Sequence, residues 1–289
     1  MKMYAGIIIA LFVIFIVIGY LTRFRAKNIF QAKEDLDANW FPVQHHEELS
    51  VGKYDIHSWF FDNNSERIII YCHGNYGNMS YYPHLPLIAK RLGISLLMFD
   101  YRGFGKTKGI PSTETIKEDG LEVYQWIKQY YSEDKIIVWG ESLGGSIATW
   151  IATQNKPSKL VLVSTFSDIH DVMRMHGKES YLLHAVIALA DVLYDSLPIK
   201  QWIKQVTVPT CIVHSINDTY IPFECAVTNA NSSSYVKEFI PIRGDHTTPE
   251  MTPEDIERLQ KFLEISSSCF SEIFKDFMLV KENSPICKL

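Results

Sequence analysis

The sequence predicts an α/β fold, in which a mostly parallel central sheet carries helices on both faces. From residue 67 onward, short continuous apolar runs alternate with segments of helical spacing, as is typical of parallel strands buried between helices. The chain has 289 residues, which is enough for one α/β domain of about 250 residues with a full core.

The composition is that of an ordinary globular protein. Apolar residues make up 47% of the chain and charged residues 21%, with a net charge of −5 and no basic stripe, so no nucleic-acid partner is expected. The five cysteines form no spaced framework. Cys72 and Cys211 fall inside apolar runs, as expected of reduced thiols in a core.

The N-terminus carries a predicted membrane anchor at residues 1–22. Residues 5–21 contain no charge, and a helix over residues 3–21 is about 28 Å long, enough to cross a thin bilayer. The run exceeds the roughly 7–15 apolar residues of a signal peptide and lacks a small-residue cleavage site, which favours an uncleaved anchor. Arg23, Arg25 and Lys27 follow it, which favours a cytoplasmic location for the rest of the chain.

Two features leave other locations open. Four glycosylation sequons keep a lumenal domain possible: Asn63, Asn78, Asn217 and Asn231. Residues 287–289, Cys-Lys-Leu, resemble the peroxisomal S-K-L address.

The predicted elements follow in chain order. Residues 23–44 are predicted as a juxtamembrane connector, and residues 45–265 as the folded domain, which opens with a strand pair at 48–62. Six buried strands are predicted at 67–72, 95–100, 135–139, 159–164, 210–214 and 236–242. Helices are predicted at 82–92, 115–130 and 145–152, and right-handed crossovers fix most of the topology.

Residues 167–206 interrupt this alternation. The segment is rich in His and Met and includes an apolar stretch at 181–194, so it is predicted as a lid insertion, with a plain packing helix as the alternative. Residues 266–289 are predicted as a C-terminal extension, whose amphipathic part at 270–280 packs on the domain.

A G-x-S-x-G pattern at residues 140–144 separates the 135–139 strand from the 145–152 helix. Strand, sharp turn and helix in this order are the context of a nucleophile elbow. Gly140 and Gly144 leave space for the turn, and the helix N-terminus favours negative charge developing near Ser142. The sequence therefore predicts Ser142 as a nucleophile.

A serine hydroxyl needs a histidine base, and a carboxylate must orient that histidine. In this architecture the acid and then the histidine follow the serine along the chain. Asp218 follows the 210–214 strand and His246 follows the 236–242 strand, so both are placed at the edge where open α/β sheets carry their sites. Asp218 is predicted as the acid and His246 as the base.

Other candidates were weighed for these roles. Asp168 is the alternative acid, whereas Asp245 is interpreted as a solvated turn residue and His214 as a packing residue. His, Cys and Glu spacings give no metal site, and no G-x-G-x-x-G follows a strand, so neither a metal nor a nucleotide cofactor is expected.

A tetrahedral intermediate requires two backbone N–H donors for its oxyanion. Leu143, directly after Ser142, is predicted to supply one. The second is expected from the loop H-G-N-Y-G-N at residues 73–78, where Asn75 is the predicted donor and Tyr76 the alternative.

These pieces resemble α/β-hydrolase-fold serine hydrolases in their order along the chain. They are H-G-N-Y-G-N at 73–78, D-Y-R-G-F-G at 100–105, G-E-S-L-G-G at 140–145, the Asp218 loop with Pro222, and G-D-H at 244–246. The sequence is most similar to the membrane-anchored bud-emergence-type group of α/β-hydrolase-domain proteins, over about residues 45–265. The resemblance implies an α/β-hydrolase fold that hydrolyses esters, thioesters or lipid acyl bonds.

The sequence thus predicts a membrane-tethered serine hydrolase that cleaves an acyl ester or thioester of a lipid or an acylated protein through an acyl-enzyme. Two alternatives stay open. One is a non-catalytic, membrane-tethered interaction module with a sealed pocket, and the other is an acyltransferase that passes the acyl group to an alcohol.

Overall fold

The computed structural model describes residues 30–37, 45–169 and 197–265. The predicted anchor at 1–22, most of the predicted lid at 167–206 and all of the C-terminal extension at 266–289 lie outside the described residues. Within the described part of the chain, no helix is long and apolar enough to cross a membrane.

Strands and helices alternate along most of the described chain. The strands are β1 (Gln31–Ala32), β2 (Glu47–Val51), β3 (Ile56–Phe61), β4 (Ile68–Cys72), β5 (Tyr76–Gly77), β6 (Ser95–Phe99), β7 (Ile136–Glu141), β8 (Lys159–Val163), β9 (Thr210–Ser215), β10 (Val236–Gly244) and β11 (Pro249–Glu250). The helices are α1 (His84–Leu92), α2 (Thr113–Ile127), α3 (Leu143–Gln154), α4 (Ile199–Trp202), α5 (Phe223–Asn231) and α6 (Pro253–Leu263), with 3-10 turns at Met79–Tyr81 and Glu133–Lys135.

Side chains before the first turn fix where two of the helices begin. Ser112 accepts the N–H of Thr115 and forms a capping box with it at the start of α2. Thr252 and Asp255 do the same at α6, where Pro253 occupies the first helical position.

A nine-stranded sheet in the described residues confirms the predicted mostly parallel architecture. Its order is β11-β10-β9-β8-β7-β4-β6-β3-β2. The six strands from β10 to β6 in that order pair in parallel, while β2, β3 and β11 are antiparallel at the two edges. The small strands β1 and β5 form a separate parallel pair.

The sheet is covered on both faces, so each buried strand contributes to two cores. Ile68 and Ile70 of β4 face a core that also contains side chains of α2, α3 and α5. Ile69 and Tyr71 of the same strand face the other core, together with side chains of α1 and α6. Alternation along a strand places neighbours on opposite faces, which explains why these runs are apolar at every position.

The predicted site residues follow parallel strands at their carboxyl ends. Ser142 comes directly after β7, Asp218 after β9 and His246 after β10. Because these strands all run in one direction, their following loops meet at one edge of the sheet.

Candidate active site

Ser142 occupies a sharp turn between β7 and α3. Its backbone has φ 54° and ψ −117°, a conformation that a non-glycine residue adopts only under strain. The turn also brings the backbone very close to its neighbours. A Cβ on Gly140 would collide with the carbonyl of Gly144, and one on Gly144 would collide with the carbonyl of Cys72. Backbone atoms therefore leave no room for a side chain at either glycine, which explains the predicted requirement for small residues on both sides of the serine.

Hydrogen bonds hold this strained turn in place. The N–H of Ser142 donates to the Val163 carbonyl at 2.9 Å, and the hydroxyl of Thr165 donates to the Ser142 carbonyl at 2.7 Å. A backbone in such a region costs about 1–3 kcal/mol, so the surrounding bonds must over-determine it. Thr165 was missed by the sequence reasoning, since it lies in the loop after β8 and carries no recognisable motif.

The structure brings the three predicted triad side chains into contact. His246 Nε2 lies 3.2 Å from Ser142 Oγ, and His246 Nδ1 lies 2.7 Å from Asp218 Oδ2. With Nδ1–H donating to the carboxylate, Nε2 is left to accept the serine proton. The imidazole side chain is 16% exposed, and the Asp218 side chain is fully buried.

The Asp218 carboxylate is held by its own loop. Its Oδ1 accepts the N–H groups of Tyr220 at 2.9 Å and Ile221 at 2.7 Å, which leaves Oδ2 directed to His246. His214 Nε2 lies 3.4 Å from Oδ2 and 2.8 Å from the Ile221 carbonyl. Burial lowers the pKa of His214, so the ring is neutral and its Nε2–H donates into this loop. His214 thus supports the acid loop in addition to its predicted packing role.

The sequence offers two other carboxylates as alternatives to Asp218. Asp168 Oδ2 lies 3.5 Å from the Lys200 ammonium, whereas the carboxylate that contacts His246 belongs to Asp218. Asp245 is exposed and lies in a turn, as expected, and its Oδ1 also accepts the N–H and the hydroxyl of Thr219, both at 2.9 Å, as well as the His246 N–H at 2.8 Å. Asp245 therefore joins the loop of Asp218 to the loop of His246.

The predicted oxyanion donors, Leu143 and Asn75, both belong to segments next to Ser142. Leu143 is the first residue of α3, so its N–H has no acceptor within the helix. A Cβ built on Gly74 would lie 3.4 Å from Ser142 Cβ, which places the backbone just before Asn75 against the nucleophile. The alternative donor, Tyr76, belongs to β5, and its phenol lies 2.6 Å from the Lys33 ammonium.

The D-Y-R-G-F-G loop forms hydrogen bonds with the H-G-N-Y-G-N loop and with the residue that follows it. The Tyr101 hydroxyl donates to the His73 carbonyl at 2.9 Å, and Asp100 Oδ1 accepts the N–H of Met79 at 2.7 Å. Arg102 fixes the same loop to α2 through Asp119, with 2.5 Å between Nε and Oδ1. These contacts explain why the two motifs occur together.

The buried His73 ring adds to this support. Its Nδ1 lies 2.7 Å from the Gly74 carbonyl, and burial lowers the pKa of the ring. In the described part of the chain, no three His, Cys, Asp or Glu side chains group as metal ligands.

Known proteins share both the sequence pattern and the fold. A family model described as alpha/beta hydrolase fold matches residues 67–222. A lysophosphatidylserine lipase, ABHD12 of Danio rerio, is 29% identical over 61% of this chain and 52% of its own length. An uncharacterised protein of Mycobacterium tuberculosis is 28% identical over 67% of this chain and 68% of its own length. The chain thus aligns with only about half of the zebrafish lipase.

The solved structures agree on the architecture. An esterase of Pyrococcus furiosus superposes with a TM-score of 0.63 at 19% identity, over 81% of this chain and 98% of the esterase. At that identity the likeness concerns the fold. Since the family model spans more than half of the sequence, this chain belongs to the alpha/beta hydrolase fold family.

Proposed function

We propose that this chain is a membrane-tethered serine hydrolase that cleaves an acyl ester or thioester through an acyl-enzyme. The observation that carries the proposal is the continuous contact from Ser142 Oγ through His246 to Asp218 Oδ2, at 3.2 Å and 2.7 Å. The hydrolase family match, together with a lipase and an esterase among the similar proteins, supports an ester-hydrolysing enzyme.

Acylation begins when Ser142 Oγ attacks the acyl carbonyl carbon while His246 Nε2 takes the hydroxyl proton. Asp218 keeps the imidazole in the required tautomer and stabilises the cation that forms. The backbone N–H groups of Leu143 and Asn75 are the proposed donors to the oxyanion. As the carbonyl re-forms, the leaving alcohol or thiol departs with the proton from His246.

Deacylation repeats these roles with water in place of the serine. His246 takes a proton from a water molecule that attacks the acyl-enzyme carbonyl, and returns it to Ser142 Oγ as the free acid leaves. The imidazole is 16% exposed, so water can approach it.

The substrate is proposed to be a lipid or an acylated protein. The predicted anchor at 1–22 would hold the site close to a bilayer, and the following Arg23, Arg25 and Lys27 favour a domain on the cytoplasmic side. The zebrafish relative is named a lysophosphatidylserine lipase, which favours a lysophospholipid among the candidate esters.

Labelling with a fluorophosphonate probe tests the nucleophile. We expect the detergent-solubilised full chain to be labelled and Ser142→Ala to lose labelling completely, because the probe reacts only with an activated serine. Ser146→Ala is the matched control, since Ser146 lies one helical turn away, is buried and donates to the Leu143 carbonyl. Equal labelling of wild type and Ser142→Ala would remove Ser142 from its proposed role. A correctly folded wild type without any labelling would instead favour the non-catalytic alternative.

A substrate screen addresses the acyl group and the leaving group. Esters and thioesters of graded chain length, including lysophospholipids in mixed micelles, are compared by product analysis with Ser142→Ala as the blank. Release of the free acid is expected. Transfer of the acyl group to an added alcohol in its place would identify an acyltransferase.

A further inference from the structure

Residues 30–37, here called the clasp segment, form hydrogen bonds with the loop that carries the proposed oxyanion donor. Strand β1 pairs in parallel with β5, with Gln31 opposite Tyr76 and Ala32 opposite Gly77. The N–H of Lys33 donates to the Gly77 carbonyl at 3.0 Å. The clasp segment belongs to the predicted connector at 23–44, yet here it pairs with the folded domain.

Contacts with Asn75 and Ser80 extend this pairing in both directions. The N–H of Gln31 donates to Asn75 Oδ1 at 3.4 Å. Further along the clasp segment, the N–H of Asp37 donates to the Ser80 hydroxyl at 2.8 Å. The loop from Asn75 to Ser80 is therefore held along its length by a segment more than forty residues earlier in the chain.

The clasp segment also reaches the second motif loop. The N–H of Gly105 donates to the Lys33 carbonyl at 2.9 Å. The fully buried Asn78 donates through Nδ2 to the same carbonyl at 3.1 Å and to the Asp35 carbonyl at 2.7 Å. Two residues of the hydrolase motifs, Asn78 and Gly105, thus use their hydrogen bonds to hold the clasp segment.

Side chains at positions 30 and 33 anchor the clasp segment. Phe30 is 5% exposed and meets the ring of Phe104 edge-on at 6.2 Å, and Phe104 in turn lies 5.3 Å from the His73 ring. The Lys33 ammonium bonds the Tyr76 phenol at 2.6 Å and lies 4.5 Å from the centre of that ring.

From these contacts we propose that Phe30, Gln31 and Lys33 are positioning residues for the oxyanion donor of Asn75. Glycines stand on both sides of the loop at 74 and 77, so its backbone has wide freedom unless other groups fix it. The clasp segment supplies such groups through its hydrogen bonds to Asn75, Gly77 and Ser80. The inference rests on the proposed hydrolase function and adds a part of the chain outside residues 45–265 to its active site.

Proline substitutions separate the backbone contact from other effects. Lys33→Pro removes the donor to Gly77, Lys33→Ala removes only the ammonium, and Ala32→Pro is the matched control. In an extended strand successive N–H groups face opposite sides, so the N–H of Ala32 points away from β5. Initial rates on a short-chain p-nitrophenyl ester give kcat and KM, and thermal unfolding reports whether each variant is folded.

We expect Lys33→Pro to lower kcat about 10-fold or more while KM changes less than about twofold, since a displaced donor affects the transition state more than ground-state binding. Lys33→Ala should lower kcat less than Lys33→Pro does, because it loses the contact with the Tyr76 phenol but keeps the donor to Gly77. Ala32→Pro should stay within about threefold of wild-type kcat. If Lys33→Pro does not fold, Phe30→Ala replaces it, with Phe30→Leu as the conservative variant expected to restore kcat.

Two outcomes overturn the proposal. One is a folded Lys33→Pro with wild-type kcat, and the other is an equal loss of kcat in both proline variants, which would show a general effect of strand disruption. Ser142→Ala measured beside them keeps the two levels apart. A wild type without Ser142-dependent turnover removes the proposed function and this inference together, whereas an active wild type with an unaffected Lys33→Pro removes this inference alone.

Discussion

Tyr220 shows how a residue outside the triad bears on its charge. Its ring lies 5.1 Å from the His246 ring, tilted by 44°, while its backbone N–H holds Asp218. In the proposed acylation step His246 becomes a cation, and an aromatic face within about 6 Å of a cation stabilises it by about 0.5–2 kcal/mol. The ring thus lies where it favours the transition state over the neutral resting state.

We predict that Tyr220→Leu lowers kcat about 2- to 10-fold with little change in KM, because the aromatic face is lost but the backbone contact to Asp218 is kept. Steady-state kinetics on a soluble ester measures the change. Tyr220→Phe retains the face and should keep most of the activity. Tyr220 is 48% exposed, so its ring can also reach a bound substrate. A Tyr220→Leu variant that changes KM alone would show that the ring contacts substrate and does not stabilise the cation.

At the scale of elements, the proposed acid and the proposed base lie in two loops that the Asp245 carboxylate joins by hydrogen bonds. Asp218 lies between β9 and α5, His246 follows β10, and Asp245 bonds the Thr219 N–H and hydroxyl as well as the His246 N–H. These hydrogen bonds, with that of the Thr219 N–H the strongest influence, lower the pKa of Asp245. The loops therefore stay joined at neutral pH and lose this bond as acid protonates Asp245.

Asp245→Ala is predicted to lower kcat about 10-fold, because the Asp218 and His246 loops then lose the hydrogen bonds that Asp245 makes to Thr219 and His246, and small displacements are costly. Asp245→Asn keeps the Oδ1 acceptor and should lose less. Thr219→Val serves as a partial variant that removes the hydroxyl but keeps the N–H. Full activity of Asp245→Ala would show that Asp245 is only an exposed turn residue and does not position the triad.

The same scale explains what the sequence made predictable. Each predicted buried strand appears within two residues of its expected ends, because apolar runs and helical spacing are local patterns. The contacts of Thr165, Asp245 and the clasp segment were not foreseen. They join residues that are distant in sequence, such as Asp37 and Ser80, 43 positions apart, and no local period records such a pairing. The predicted lid at 167–206 stays a prediction, as residues 170–196 lie outside the described ones.

At the scale of the whole molecule, the buried interior includes two histidines that contact the loops of the candidate site. His73 and His214 are both fully buried; His73 is the first residue of the H-G-N-Y-G-N loop, and His214 lies in β9 just before the Asp218 loop. Burial lowers the pKa of each ring in the folded protein. Stability and the geometry of the site are therefore tied to the same two neutral imidazoles.

Acid should consequently destabilise the fold before its carboxylates are protonated. An unfolded histidine has a pKa of about 6.5, whereas the pKa of each buried ring in the folded protein is lower. Below pH 6.5 the unfolded chain therefore binds more protons than the folded chain. The free energy of unfolding then falls by at most about 1.4 kcal/mol per pH unit for each ring. The free energy of unfolding therefore keeps its full value above about pH 6.5 and declines below that pH. Urea unfolding at pH 7.5, 6.5 and 5.5 measures the slope. His214→Gln keeps a donor for the Ile221 carbonyl and should flatten the slope, whereas the same change at the exposed His45 should leave it as it is. An unchanged slope in His214→Gln would mean that this ring takes up its proton without unfolding the chain.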